Sequence, residues 1–441
     1  MSIRTFFLAA ALLPLAAAAQ TPAAPPPVTS PVTVSLQQAL QAARDNLDVA
    51  LARRSLAGAR ADVQAADRAP FPTLSASVSN VDLQNGNGGG NPWSEQTLDK
   101  SIGLDWTWER GNKRALRTQA AQRSADAAQA DLEETALQQQ LAALSGFYDL
   151  LAAQERVAEV GQIERSAAEL ARIAGRRLQA GDLSAQETAR TEIEAQRALS
   201  DLRQAELERQ RAALVLWQLT ALSPTPDPLQ AQSQWPALPA AMPAPATLDD
   251  LIEARADVRA ARARVEAAQA VLDNSSAQKK SDITWGVSYD HYPGTSTALM
   301  SLRMSMPLQL GYGYEGEIGR STAQLALAQD ALEKTRRLAR QELQRLQHEV
   351  QSTGARAAAY DNEILPRARR VAEGAELAYR KGALSLTDLL DARRTLRATV
   401  LDAVAARSDH AKALGAWQLR TGAPVLATAP AAAVPAAPTA Q

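Results

Sequence analysis

The sequence predicts a mainly α-helical protein with a small membrane β-barrel part, and three observations lead to this fold class. Most of the 441 residues have the composition of long helices, rich in Ala, Gln, Glu, Arg and Leu. Four short segments instead alternate apolar and polar residues with a period of two, as strands with one apolar face do. The chain also repeats itself, with the same phrases at the same offsets in two long segments.

The N-terminal segment is typical of a secretory signal. Arg4 precedes the apolar run FFLAAALLPLAAAA, and small residues follow up to Gln20, which predicts a signal peptide over 1–19. A buried N-terminal helix is the alternative, but a Pro-rich linker over 20–34 follows at once. No other apolar run approaches the roughly 18 residues of a membrane-spanning helix, so we expect an exported chain without one.

The charge balance favours neither a nucleic-acid partner nor an anionic membrane surface, because the formal net charge is −1. The chain contains no cysteine, and a chain of 441 residues can bury enough surface without disulfides. Its three histidines, His291, His348 and His410, stand apart in the sequence, and no catalytic or phosphate-binding motif accompanies them. We therefore predict no enzyme, no cofactor and no metal site.

The duplication divides the chain into a first repeat over 35–222 and a second over 247–422. In the first repeat the phrase QAGDLSAQE matches RKGALSLTD in the second, and LWQLTAL matches AWQLRTG near the two repeat ends. Seven prolines follow closely on the first repeat, which excludes regular helix and predicts an inter-repeat linker over 223–246. The Ala/Pro-rich tail over 423–441 is predicted to be disordered.

Each repeat is predicted to run helix, strand, strand, helix, turn, helix. The first repeat has helices over about 35–69, 112–179 and 183–221, strands over about 73–83 and 97–108, and a turn near Gly181. The second has helices over about 247–277, 316–380 and 384–421, strands over about 282–292 and 298–308, and a turn near Gly382. Leu and Ala recur at three- and four-residue spacing along the helices, which suits antiparallel coiled-coil packing.

The predicted strands each have one apolar and one polar face. In LMSLRMSMP the apolar residues Met300, Leu302, Met304 and Met306 alternate with serines and an arginine. This period of two favours a strand face over a soft-metal site built from methionines. The few aromatic residues concentrate near strand ends, where the girdle of a membrane barrel lies: Trp106, Trp108, Trp285, Tyr289 and Tyr292.

The length and number of the strands bear on assembly. Each strand has about 10 residues, the length that a tilted strand needs to cross a bilayer. A sheet in lipid must close on itself, and the smallest barrels have about eight strands, so four strands cannot close. If the apolar face meets lipid, several chains must share one barrel. The alternative is a soluble four-stranded sheet packed on helices.

The duplicated order of elements resembles that of the TolC-like outer-membrane efflux family from about Ser35 to Gly422. The most telling phrases are LAYRKGALSLTDLLDARRTL in the second repeat and its weaker copy RRLQAGDLSAQETARTE in the first. The phrases WERGNKRALR and MPLQLGYGYEGEIGR are similar to the heavy-metal (CzcC-like) branch of that family.

The resemblance implies a homotrimer, with four barrel strands per chain shared in a barrel in outer-membrane lipid and a helical tunnel through the periplasm. It implies the outer-membrane channel of a tripartite efflux system. This channel is a passive duct that a periplasmic adaptor (membrane fusion) protein connects to an inner-membrane pump, of the RND type. The alternative is an exported structural coiled-coil protein of the cell envelope, which would have no conducting lumen.

The resemblance also assigns the two glycine-centred turns to the periplasmic tip of the tunnel. It implies a pore constriction formed by Asp388, Asp391, Glu187 and Tyr379. Three chains would bring the paired aspartates together in a ring that attracts cations. The residues that it assigns to adaptor docking are Gly181, Leu183, Ser184, Gly382, Leu384 and Ser385. The residues alone leave two plainer interpretations open, namely helix N-terminal charge for the acids and turn chemistry for the docking set.

Leu384 departs from the family pattern, because some members carry an arginine at this position. This departure argues against the specific latch salt bridge that those members form beside the gate.

Overall fold

The computed structural model describes residues 32–91, 97–223, 225–226, 229–238, 247–293 and 295–425. The predicted signal peptide over 1–19 and most of the predicted tail over 423–441 lie outside the described residues.

The described part of the chain contains long helices and two sheets. The helices are α1 (Leu36–Ala43), α2 (Leu47–Ala66), α3 (Lys113–Gln179), α4 (Ala185–Thr220), α5 (Leu248–Ala254), α6 (Ala256–Ala277), α7 (Glu315–Ala359), α8 (Leu365–Arg380) and α9 (Leu386–Thr421). The strands are β1 (Val32–Val34), β2 (Thr73–Ser79), β3 (Asp99–Trp108), β4 (Leu229–Ala231), β5 (Ile283–Tyr292) and β6 (Ser296–Ser305). At about 1.5 Å per residue, α3 alone extends for about 100 Å. None of the helices in these ranges is both long and apolar enough to cross a membrane.

Two of the predicted helices are interrupted near their starts. The helix expected over 35–69 is divided into α1 and α2, because the side chain of Asn46 accepts a hydrogen bond from the Val49 amide and so caps a new helix. The helix expected over 247–277 is divided into α5 and α6 at Arg255, whose backbone is extended with φ −62° and ψ 143°.

The helix expected over 316–380 is also interrupted. A short π-helix, Tyr360–Ile364, joins α7 to α8, and Pro366 follows it in the first turn of α8. Proline has no amide N–H, and its ring clashes with the carbonyl four residues earlier, so regular α-helical bonding cannot continue through this point.

The stretches predicted as plain linkers contain ordered structure. β1 lies in the predicted linker over 20–34, and it pairs in parallel with β4, which lies in the predicted linker over 223–246. Leu229 of β4 is fully buried, and Trp235 stacks on Tyr148 of α3 with ring centroids 5.8 Å apart. Burial raises the pKa of Tyr148 to about 12. The prolines exclude a helix here, but they do not exclude a short strand between them.

The second sheet has the strand order β2-β3-β5-β6, and all its pairs are antiparallel. β2 ends four residues earlier than predicted, because Asn80 turns the chain with φ +62°. β6 begins and ends slightly earlier than predicted, so Met306 lies just beyond the strand.

The two faces of this sheet differ as the alternation predicts. One row across all four strands consists of apolar side chains: Leu74, Leu104, Val287 and Leu302. Leu302 is 73% exposed and Leu74 is 70% exposed, so the described residues do not cover this face. The opposite face carries mainly serine and threonine.

The helices form a layer in the same order as the strands. Near the sheet the order is α2-α3-α6-α7, and toward the turns it is α4-α3-α9-α8. α2 leads into β2, α3 follows β3, α6 leads into β5 and α7 follows β6. One edge of the whole layer is therefore β2, α2 and α4, and the other edge is β6, α7 and α8.

Buried charges connect the helices of this layer. The Arg420 side chain of α9 donates to Glu134 of α3 at 2.8 Å and to Glu342 of α7 at 3.0 Å. Arg255 donates to the same Glu342 at 2.7 Å. Removing one partner from such a buried network destabilises a protein by about 3–5 kcal/mol, because it leaves an uncompensated charge.

The first prediction concerns the close contact of α9 with α3. A Cβ added at Gly415 would lie 2.6 Å from Cδ1 of the buried Leu144. We expect Gly415→Ala to lower the stability of the protein by about 1–3 kcal/mol, measured by denaturant unfolding in detergent, because the helices must move apart. The control is Gly175→Ala in α3, where a Cβ meets nothing within 4 Å. It should be neutral or stabilising by up to about 1 kcal/mol. Equal effects of the two changes would contradict the close contact.

Candidate functional site

The two turns that the resemblance assigns to the tip share one backbone geometry. Gly181 has φ +80° and donates its amide to the Leu178 carbonyl at 3.0 Å, while the Asp182 amide reaches the Arg177 carbonyl at 2.8 Å. This pair of bonds is a Schellman motif, which satisfies carbonyls at a helix end and requires the left-handed region that glycine adopts readily.

The second turn repeats this geometry. Gly382 has φ +72° and donates its amide to the Tyr379 carbonyl at 3.0 Å, while the Ala383 amide reaches the Ala378 carbonyl at 2.9 Å. Both glycines are exposed, and a Cβ at either would meet nothing within 4 Å. The left-handed backbone therefore explains why glycine occupies both positions. The surface around the two glycines is exposed.

A serine caps the next helix at each turn and binds a predicted constriction acid. Ser184 donates its hydroxyl to Glu187 at 2.8 Å, and the Glu187 amide donates back to the Ser184 oxygen at 3.2 Å. Ser385 and Asp388 make the same two contacts at 2.7 and 3.2 Å. Two of the three acids proposed for the constriction are thus engaged in helix caps, which agrees with their plainer interpretation.

Asp391 differs from these two acids. It lies one turn after Asp388 on α9, it is exposed, and its carboxylate makes no hydrogen bond or ion pair with the described residues. Among the predicted constriction acids, it is therefore the one whose carboxylate is left to solvent.

The side chains of Tyr379 and Leu384 pack inside the tip and do not extend fully into solvent. Both are partly buried against an apolar cluster that joins α3 to α9: Leu170, Leu386, Leu389 and Leu390. Leu183 of the first turn is likewise half-buried. These side chains contribute to the packing of the tip in addition to any role in the pore or in docking.

A polar network that the sequence does not predict follows this cluster along α9, on the side away from the turns. The Arg393 side chain of α9 donates to Glu376 of α8 at 2.6 Å and to the Ser166 hydroxyl of α3 at 2.8 Å. Arg397 pairs with Asp201 of α4 at 2.7 Å. The phrase LLDARRTLR shows the arginines, but Ser166 and Asp201 lie about 200 residues earlier in the sequence, and no local pattern identifies them as partners.

The predicted girdle residues lie on the sheet. Trp106 is directly opposite Trp285, and Trp108 is the last residue of β3, so these three mark the end of the sheet next to the helices. Tyr292 ends β5 at the other side. Tyr289 lies three residues before it, in a row with Ile102 and Met300, so it is inside the strand rather than at its end.

Comparisons with known proteins address the fold and the family. The chain matches the family described as "Outer membrane efflux protein" over residues 36–222 and 247–422. It is 26% identical over 375 residues to the cobalt-zinc-cadmium resistance protein CzcC of Cupriavidus metallidurans, and the match covers 85% of this chain and 86% of that protein.

Solved structures of the same fold are similar over nearly all of the layer. A membrane protein from Pseudomonas aeruginosa has a TM-score of 0.76 and 18% identity, over 88% of this chain and 93% of that one. The open state of the Neisseria gonorrhoeae MtrE outer membrane channel has a TM-score of 0.73 and 16% identity, over 88% and 89% of the two chains. The family match spans both repeats, so the chain belongs to the outer membrane efflux protein family, as a TolC-like channel of a tripartite efflux system and not as an enzyme.

Proposed function

We propose that three copies of this chain form one passive duct, which carries divalent metal cations from a periplasmic adaptor and an inner-membrane pump to the exterior. This proposal rests mainly on the two edges of the layer, where strands and helices lack a neighbour among the described residues. The sheet ends at β2 on one side and at β6 on the other, and the helices end at the matching edges.

The family supports three copies, and the strand count, which requires more than one copy, agrees with that number. Membership of the family implies a trimer that works with adaptor and pump proteins. Four strands from each of three chains give twelve, which is enough to enclose a lumen wider than the side-chain-filled interior of a barrel of about eight strands. The apolar face of the sheet then meets lipid, and the serine-rich face lines the lumen.

The proposed cargo rests on two features. CzcC, which is similar over most of its length, is described as a cobalt-zinc-cadmium resistance protein. The free carboxylate of Asp391, repeated in three chains, would form an anionic ring at the tip that favours cations. Among the described residues no group of three or more His, Cys, Asp or Glu side chains is arranged to hold a metal ion. We accordingly treat the metal as cargo in transit.

The proposed partners meet at the tip. We place adaptor docking on the exposed turns around Gly181, Ser184, Gly382 and Ser385, and we propose an RND-type protein as the pump. The N-terminal sequence supports export by a signal peptide, and the helical layer would then extend from the outer membrane into the periplasm.

The second prediction is the protein mass of the particle extracted in detergent. We expect three chains per particle, because the open edges of the sheet must find partners in lipid. Light scattering corrected for bound detergent measures this directly. A monomer that stays in solution without detergent would overturn the proposal and would favour the structural coiled coil.

The third prediction concerns ion selectivity. Asp391→Asn should lower the cation-to-anion permeability ratio of the reconstituted channel by a factor of at least about two at low salt, because it removes one charge per chain from the ring. Reversal potentials in a salt gradient across a planar bilayer give this ratio. Glu187→Gln is the matched control, since that carboxylate is held in the Ser184 cap. A change of equal size in the control, or none in Asp391→Asn, would contradict the assignment of the ring to Asp391.

A further inference from the structure

Two largely apolar stripes on the edge helices are left without partners among the described residues. On α4, the residues on the side away from α3 are exposed at intervals of seven: Ile193, Ser200, Leu207 and Leu214. On the other edge, Leu377 is 55% exposed and Val371 is 61% exposed on α8, and Ile364 is exposed just above them. These three residues are spaced by six and seven. A seven-residue spacing is the pattern of a coiled-coil seam.

The position of these helices in the layer indicates what covers the stripes. α4 and α8 are its two edges in the half of the molecule near the turns, with α3 and α9 between them. Each chain carries one helix of each kind, so rotation about a common axis brings α4 of one copy beside α8 of the next. We propose that these two stripes form the seam between neighbouring copies, an inference that rests on the proposed trimer.

The contacts within one chain fix how the two stripes align. α8 runs parallel to α3, and Arg369–Glu159 and Glu376–Ser166 give the same offset between them. α4 runs antiparallel to α3, and Arg156–Glu208 sets its level. Rotation about an axis along the helices preserves these levels, so they also apply between copies.

With these offsets the stripes interdigitate. Leu377 is level with residue 197 of α4, midway between Ile193 and Ser200. Val371 is level with residue 203, midway between Ser200 and Leu207. Ile364 is level with residue 210, midway between Leu207 and Leu214. Each side chain of the α8 stripe thus enters a gap between two consecutive residues of the α4 stripe, as knobs enter holes in a coiled coil.

Charge complementarity supports the same alignment. Glu363 of the π-helix is level with Arg211 of α4, at the upper end of the seam. Arg211 is exposed in the single chain, and the Glu363 side chain is 65% exposed although it forms a long, solvent-exposed ion pair with Arg367 at 3.5 Å. Across the seam, Arg211 of one copy therefore forms an ion pair with Glu363 of the next copy.

The cysteine-free chain allows a direct test by disulfide cross-linking. The doubly substituted chain Arg211→Cys with Glu363→Cys should give covalent dimers and trimers on a non-reducing gel after mild oxidation, and reductant should return them to monomers. A disulfide requires Cα atoms within about 7 Å, and α4 and α8 of one chain are separated by two helices, so the bond must join different copies. The matched control pairs Arg211→Cys with Leu377→Cys, which lie about 21 Å apart along the axis and should not cross-link.

A charge exchange provides a second readout that needs no disulfide. Arg211→Glu alone should lower the temperature at which the detergent-solubilised trimer dissociates, and adding Glu363→Arg should restore most of the loss. No restoration, or equal cross-linking of the matched and control cysteine pairs, would overturn the seam. If the particle is still a trimer by mass in that case, the proposed duct stands and only this interface falls. A monomeric particle would remove both proposals.

Discussion

The unpaired backbone groups along the outer edges of β2 and β6 constrain the rest of the molecule. In hydrocarbon each free N–H or C=O costs several kcal/mol, and a barrel satisfies them because it has no edge. The strands continue into helices in the same order, so whatever closes the sheet also brings α2 and α4 of one copy to α7 and α8 of the next. The assembly of the helical part is thus dictated by a requirement of the sheet.

The duplication is a repeat of backbone conformation more than of side chains. Left-handed residues precede the long helices at Asn112 and Tyr314, with φ +59° and +62°, and each follows a glycine shortly before it. The two tips share the Schellman geometry and the serine cap, yet their acids differ. Glu187 is long enough to reach back to the Ser184 amide as well as the hydroxyl, which completes a capping box. The second tip adds Asp391, which stays in solvent. The first turn is therefore held by one more hydrogen bond than the second, and the second turn presents an additional solvated carboxylate.

Features with a local cause could be predicted from the sequence, and features that depend on remote partners could not. The alternation around Met300 identifies a strand because lipid-facing and lumen-facing side chains must alternate, whatever the neighbouring strand is. Gly181 and Gly382 identify turns because a left-handed backbone favours glycine. By contrast, β4 is a strand because Leu229 is buried beside a segment 197 residues earlier. Ser166, which accepts a hydrogen bond from Arg393, is likewise 227 residues away. Asn46 and Pro366 are local signals for a cap and a helix break, but the helical pattern on either side of each one favours a continuous helix.

The polar face of the sheet explains why cation preference is expected at the tip and not in the barrel. Arg303 pairs with Asp105 at 2.6 Å across Gly286, where any Cβ would collide with the Asp105 carboxylate. This pair is neutral as a unit. The other acid near it, Asp290, is only 3% exposed and accepts hydrogen bonds from the hydroxyls of Ser101, Ser288 and Ser301. Arg303 thus compensates Asp105, and serine hydroxyls rather than open solvent surround Asp290, so the polar face of the sheet presents mainly hydroxyl groups. An uncompensated, solvated carboxylate such as that of Asp391 acts on a cation over about one Debye length, roughly 8 Å in physiological salt. In the proposed trimer, selection by charge would therefore be strongest where three Asp391 carboxylates meet at the tip, and not along the sheet.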